Sequence, residues 1–283
     1  MVCGLASMKP KKIAIIGLGL MGGSLAARVR RRFPKARVIG ISRNRQALRT
    51  ALKKRWIHEA SERIEAARTA DFVVLCTPVD TFAKFLLTLE KICRPGTLVT
   101  DVGSVKGEIL RWVSRKKFRN IQFVGAHPMA GSHARGIEAA RKNLFDHSLT
   151  FVVRSSVSPK AYQAVRDFWK KITPGIVETG AEEHDKITAQ ISHLPHALAA
   201  CLALSPEEKN LKFAAAGFAD TTRIATGDAS VWLPIFLSNR KELLRSLGIF
   251  RAKLSSFQKV LLENNGPALL KVLQKARKRR EGI

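Results

Sequence analysis

A chain of 283 residues with 46% apolar and 25% charged side chains has the composition of a folded protein and the length for two domains, which excludes disorder over most of it. Lys and Arg number 50 against 22 Asp and Glu, a net charge of +28, but the excess is spread over both halves and no basic patch is interleaved with aromatics. This argues against nucleic acid as a partner and leaves a basic surface that attracts anionic small molecules.

Residues 1–10 lack the apolar centre of a secretion signal and read as a flexible lead, with Met8 as an alternative start to Met1. Residues 11–17 (KKIAIIG) read as a buried strand, 20–33 as a helix and 37–42 (RVIGIS) as a second strand. Further short β-branched runs follow at 71–76, 98–102, 121–125 and 149–153, alternating with helical segments, the pattern of parallel βαβ units. Beyond about residue 180 strand-like runs give way to helical patterns at 182–204, 229–263 and 267–280. The expected fold is a Rossmann-type α/β dinucleotide-binding domain over residues 11–178, followed by an all-α domain over 179–283. Leu243, Leu244, Leu247, Phe250, Leu254, Phe257 and Leu261 recur at steps of three and four, a stripe expected to form core or a helix–helix interface. No apolar stretch reaches the length of a membrane span. Cys76 and Cys201 sit in apolar runs and read as small buried residues, and no two cysteines have CxxC spacing, so a reducing, cytoplasmic setting and no metal site are expected.

The first strand runs into Gly17-Leu18-Gly19-Leu20-Met21-Gly22 ahead of a helix. In GxGxxG the first glycine allows a tight turn, the second lets backbone approach a pyrophosphate, and the third lets helix and strand pack closely. The strand–turn–helix context makes Gly17, Gly19, Leu20, Met21 and Gly22 cofactor-binding candidates, joined by Thr77 and Pro78 at the end of a later strand. NAD enzymes usually carry Asp or Glu at the end of the second strand. This chain has Ser42-Arg43-Asn44-Arg45, and the guanidiniums of Arg43 and Arg45 suit a 2′-phosphate, so NADP is expected, with NAD possible.

Three further segments are distinctive: Asp101-Val102-Gly103-Ser104-Val105-Lys106, Gly125-Ala126-His127-Pro128-Met129-Ala130-Gly131, and Ser192-His193-Leu194-Pro195-His196. A fourth spans Phe218 to Ala225 and holds Asp220 and Arg223, with Asp228 and Trp232 beyond it. Together with GLGLMGGSLA they closely resemble the prephenate/arogenate dehydrogenase family, and the resemblance reaches to about residue 240. It implies oxidative decarboxylation of a cyclohexadienol dicarboxylate: hydride leaves the carbinol carbon, the hydroxyl loses its proton, and the ring carboxylate departs as carbon dioxide. It implies a soluble homodimer making the aromatic ring of tyrosine, from prephenate or from its amino analogue arogenate.

The resemblance also assigns roles. His127, of suitable intrinsic pKa, polarises or deprotonates the ring hydroxyl. Ser104 hydrogen-bonds that hydroxyl or orients His127. Arg223 binds a substrate carboxylate, unless it serves a structural pair with Asp220 or Asp228. His196 donates to the substrate with His193 as its support, and His184 also matches a substrate-binding position of the family. Lys106 reads either as a group near nicotinamide or substrate, or as a solvated lysine. Before Phe218 the chain has Ala214-Ala215-Ala216-Gly217 where relatives are often richer in glycine. Two other readings remain: another NADP-dependent two-domain dehydrogenase acting on a small carboxylate, and a non-catalytic NADP-sensing regulator that binds nucleic acid. Neither accounts for His127 and Arg223 in these motifs.

Overall fold

The computed structural model describes residues 10–131 and 134–282; the N-terminal lead, apart from Pro10, and His133 lie outside the described residues. The chain forms two compact units, one ending at Asn239 and the other starting at Arg240.

In chain order the first unit contains β1 (Lys12–Ile16), α1 (Leu20–Arg32), β2 (Arg37–Ile41), α2 (Arg45–Lys53), β3 (Glu59–Ser61), β4 (Phe72–Leu75), α3 (Phe82–Ile92), β5 (Thr97–Asp101), α4 (Gly107–Lys116), β6 (Ile121–Val124) and β7 (Ala126–Pro128). It continues with β8 (Leu149–Val153), α5 (Pro159–Ile172), β9 (Gly175–Thr179), α6 (Ala181–Thr188), α7 (Leu194–Ala203), α8 (Ala216–Thr222) and α9 (Ala229–Ser238). The second unit is α10 (Arg240–Leu262) and α11 (Gly266–Glu281). The fold class is as expected: a parallel dinucleotide-binding sheet followed by helices.

Six strands pair in the order β3-β2-β1-β4-β5-β6, all parallel. Side chains on a strand alternate between faces. Ile13 and Ile15 of β1 thus join a core on one face with Phe72, Val74, Phe168 and Trp169, while Ala14 and Ile16 join Val73, Leu75, Phe82 and Leu86 on the other. Burial on both faces is why these strands read as unbroken apolar runs.

Several elements escaped the sequence. The run at 149–153 is a strand, but β8 belongs to a separate three-stranded sheet, antiparallel to β7 and parallel to β9. β3, β7 and β9 are short or polar and carry no apolar run. The helix expected over 182–204 is interrupted by a π-helical turn at Ala189–His193. Pro195 lacks the amide hydrogen that a regular helix would give to the carbonyl four residues earlier, and the wider turn accommodates that. The helix expected over 229–263 breaks at Asn239, whose backbone (φ −111, ψ 26) leaves the helical region. Cys201, expected to be buried, is exposed, because an apolar run on all sides of a helix does not reveal which side faces inward. Much of the stripe on α10 is also exposed, with Leu244 at 60% and Leu261 at 52%, so within one chain it is not core. Among the described residues no helix is long and apolar enough to cross a membrane.

The β1–α1 turn fixes the geometry at the sheet's carboxyl edge. Gly17 adopts φ +95, and a Cβ there would stand 2.6 Å from the carbonyl oxygen of Cys76. A Cβ on Gly22 would meet the Gly17 carbonyl oxygen at 1.8 Å, whereas one on Gly19 meets nothing within 4 Å. Gly22→Ala is therefore expected to destabilise the fold by about 1–3 kcal/mol, while Gly19→Ala changes stability by no more than about 0.5 kcal/mol. Urea unfolding of the two variants checks this, and equal stabilities would refute the packing argument.

Candidate active site

At the N-terminus of α1 the amides of Leu20, Met21 and Gly22 have no carbonyl one turn earlier to bond, and no acidic side chain occupies the first turn. The space beside Gly19 is open. A helix N-terminus with free amides and a side-chain-free approach suits a pyrophosphate, so the residues present fit a dinucleotide. Gly19, Leu20, Met21, Thr77 and Pro78 line one wall of a cavity of about 880 Å³. Gly17 and Gly22 lie behind that wall and shape it.

Ser42, Arg43 and Arg45 follow β2 and do not line this cavity. The Gly17 amide donates to the Ile41 carbonyl (2.8 Å), which ties the end of β2 to the glycine turn. Ser42 accepts from the Asn44 amide. The two arginines differ in a way the sequence did not reveal. Arg45 donates to Glu62 at 2.8 Å, so β3 brings a carboxylate beside it, whereas Arg43 is exposed and forms no ion pair among the described residues.

Another part of the lining carries His127 and the buried groups behind it. β7 presents His127 to the cavity, 7% exposed. Its Nδ1 lies 3.0 Å from Nε2 of His184, whose Nδ1 lies 2.8 Å from Oδ1 of Asp185. Asp185 also accepts the backbone amides of Lys106 (2.9 Å) and Gly107 (2.8 Å), at the start of α4. Burial pushes His127 well below the ordinary histidine value, with the neighbouring His184, Lys106 and His193 adding to the effect. Burial likewise lowers His184, against an opposing hydrogen bond with Asp185. Burial works to raise the Asp185 carboxyl, but hydrogen bonds from His184 and the two amides outweigh it and hold the group below the usual range.

The structure moves His184 and Lys106 away from their expected places and keeps Ser104 at the cavity. His184 is fully buried behind His127 and does not line the cavity. Ser104 does line it, but the partner of His127 Nδ1 is His184. Lys106 is neither solvated nor part of the cavity lining. It is fully buried, its Nζ 2.6 Å from Asp101 Oδ2 and within reach of the Gly103 and Val105 carbonyls. Asp101 in turn accepts the amides of Gly103 and Ala126 and so fixes the chain just after β5 and at the start of β7. Burial pushes the Asp101 carboxyl up, and Lys106 pulls it back.

The third wall comes from α7, α9 and the segment between α8 and α9. His196 stacks on Trp232, ring centroids 3.6 Å apart. Gly227 sits against both rings, and a Cβ there would come within 2.7 Å of the indole nitrogen and 2.8 Å of the imidazole. Arg223 lines the cavity and pairs with neither Asp220 nor Asp228; Asp228 is held instead by Arg135 at 2.8 Å. His193 is fully buried, its Nδ1 3.1 Å from the Asn239 side-chain nitrogen, which also donates to the Asp185 carbonyl. Asp185, Gly227 and Asn239 belong to none of the distinctive segments, and Asp101 opens one of them without a role having been read for it. Asp185, directly after His184, and Asp101, closing an apolar run, were the visible hints.

A glycine-turned parallel sheet, a cavity against it and a buried histidine in that cavity define a nicotinamide-dinucleotide-dependent oxidoreductase. Residues 25–178 match the family model described as "Prephenate dehydrogenase, nucleotide-binding domain", and residues 180–275 match "Prephenate dehydrogenase, dimerization domain". The chain belongs to the prephenate dehydrogenase family. It is 31% identical over 283 residues to the prephenate dehydrogenase of Lactococcus lactis subsp. cremoris, covering 96% of this chain and 77% of that one. The crystal structure of A. aeolicus prephenate dehydrogenase, in complex with hydroxyphenyl propionate and NAD+, superposes with a TM-score of 0.89 at 28% identity, covering 98% of this chain and 99% of that one. The Synechocystis arogenate dehydrogenase structure gives a TM-score of 0.81 at 30% identity, covering 96% and 99%.

Burial holds His193 down to about 4 against an ordinary 6.5. Between those values the unfolded chain takes up a proton that the folded chain refuses, so stability falls as pH drops through this window. The effect is at most about 3 kcal/mol. Urea unfolding at about pH 7 and about pH 4.5 is expected to show a larger loss for the wild type than for His193→Gln. Equal losses would sink the assignment.

Proposed function

We propose that this protein oxidatively decarboxylates prephenate to 4-hydroxyphenylpyruvate, using NADP, as a homodimer. The observation that carries the reading is the buried His127 lining one cavity together with the glycine turn, Arg223 and His196. When bound, the nicotinamide supplies the hydride acceptor. The protein's own residues do the rest. The His127 imidazole, kept neutral by burial, takes the ring hydroxyl proton as hydride leaves the same carbon. Ser104, on the same cavity, is left to hydrogen-bond that hydroxyl. Arg223 pairs with the side-chain carboxylate and His196, held by its stack on Trp232, donates to the side chain. Loss of the ring carboxylate as carbon dioxide completes an aromatic ring, which draws the reaction forward.

Prephenate is favoured over arogenate by the charges around the cavity. Arg135, Arg141 and Arg223 line it, and the acid there, Asp228, is engaged by Arg135 and by Ser230. The ammonium of arogenate would look for a free carboxylate and meets cations instead, whereas prephenate has the same two carboxylates and no ammonium. NADP is favoured by Arg43, exposed and without an acid partner among the described residues, after a β2 that ends in no carboxylate. The exposed apolar side chains of α10 support a dimer built by the helical region, in keeping with the name of the matching family model.

Nicotinamide reduction by the purified protein, with prephenate and arogenate each tested against NADP and NAD, is expected to be fastest for prephenate with NADP. His127→Asn is expected to lower turnover by about 10²–10⁴-fold while NADP still binds. Silence in all four combinations, or unchanged turnover in the variant, would defeat the reading. Arg43→Ala is expected to narrow the preference for NADP over NAD at least about tenfold, equivalent to losing one charge-assisted contact. An unchanged preference would remove Arg43 from the phosphate site.

A further inference from the structure

Nothing in the proposed chemistry says which nitrogen of His127 carries its hydrogen, yet a base must offer a bare one. We infer that His184 and Asp185 are positioning residues that hold His127 in the tautomer with hydrogen on Nδ1, so that Nε2 is the basic atom offered to the substrate. The inference rests on the reading of His127 as the base.

Both carboxylate oxygens of Asp185 are acceptors already fixed by backbone: Oδ1 receives the Lys106 amide and Oδ2 the Gly107 amide. A carboxylate so placed has no hydrogen to give, so the 2.8 Å contact with His184 Nδ1 requires that nitrogen to donate. His184 has no exposed surface, and burial disfavours its charged form. A neutral imidazole has one N–H, now spent on Asp185, and its Nε2 is a bare acceptor. The group 3.0 Å from that acceptor is His127 Nδ1, which must therefore be the N–H donor. The single hydrogen of neutral His127 is thus used on the buried side. Its Nε2, on the ring edge away from His184, is left unprotonated for the cavity that His127 lines.

The same contacts act when the proton moves. The hydroxyl O–H bond breaks, its proton forms the new N–H at Nε2, and His127 becomes an imidazolium. Its Nδ1–H stays on His184, whose Nδ1–H stays on Asp185, so the new positive charge is spread toward a fixed carboxylate without Asp185 taking a proton. Replacing Asp185 directly would also disturb the start of α4, so His184 is the cleaner position to vary.

The experiment has two arms on the full-length protein. Imidazole ¹⁵N NMR at neutral pH, with His127 assigned by comparison with His127→Asn, is expected to show hydrogen on Nδ1 and a bare Nε2. Hydrogen on Nε2 would overturn the inference. This arm needs no turnover, so it decides the tautomer even if prephenate proves not to be the substrate; lack of turnover in the wild type would count against the proposed function alone. In the second arm His184→Leu removes the acceptor, while His184→Gln can still accept from His127 and donate to Asp185. With prephenate and NADP, the leucine variant is expected to lose about 10²-fold or more in kcat, with KM within about twofold, and glutamine is expected to recover at least about tenfold of the loss. Folded leucine and glutamine variants with equal losses, or a leucine variant with kcat within about threefold of the wild type, would overturn it.

Discussion

The carboxylate of Asp185 is the interaction on which the site depends. One buried group accepts two backbone amides at the start of α4 and the imidazole of His184, while its own carbonyl receives the side chain of Asn239 at the end of α9. Removing one partner from such a cluster leaves buried polar atoms without hydrogen bonds, which costs far more than the small net worth of each bond. Three stretches distant in sequence are therefore held to a common point, and His127 is held through one of them.

A second buried charge supports the first. Asp101 and Lys106, both without exposed surface, form an ion pair inside a chain whose charges otherwise lie mostly on the surface. Such a pair gains little over apolar packing, but breaking it would leave an isolated charge, a cost of roughly 3–5 kcal/mol. Its contribution is to geometry. Asp101 fixes the backbone at Gly103 and Ala126, so Ser104 and His127 are presented from two adjacent strand ends with little freedom. Rigidity of that kind keeps a base within reach of a reacting atom.

The cavity owes its chemistry to contrast between its walls. The glycine turn offers backbone amides beside an open Gly19, the His127 wall offers a buried neutral imidazole, and the Arg223 wall offers fixed positive charge. An anionic substrate is attracted by the third wall and by the general surplus of cations, while the second stays uncharged because burial and neighbouring cations both oppose its protonation.

The sequence by itself determined the parallel sheet, the glycine turn and the family. Strands buried on both faces must be apolar throughout, a backbone at φ +95 pressed against a carbonyl admits only glycine, and a run of motifs leaves residue types at fixed spacing. These are local demands, written where they are met. Only the tertiary structure decided that Lys106 is buried on Asp101, that Glu62 engages Arg45 and leaves Arg43 exposed, and that His184 stands behind His127 rather than lining the cavity. It also decided that β8 leaves the main sheet and that Cys201 faces outward. Each of these depends on residues far apart in sequence, and a charged or polar side chain reads alike in solvent and in a buried pair until the partner that folding brings to it is known.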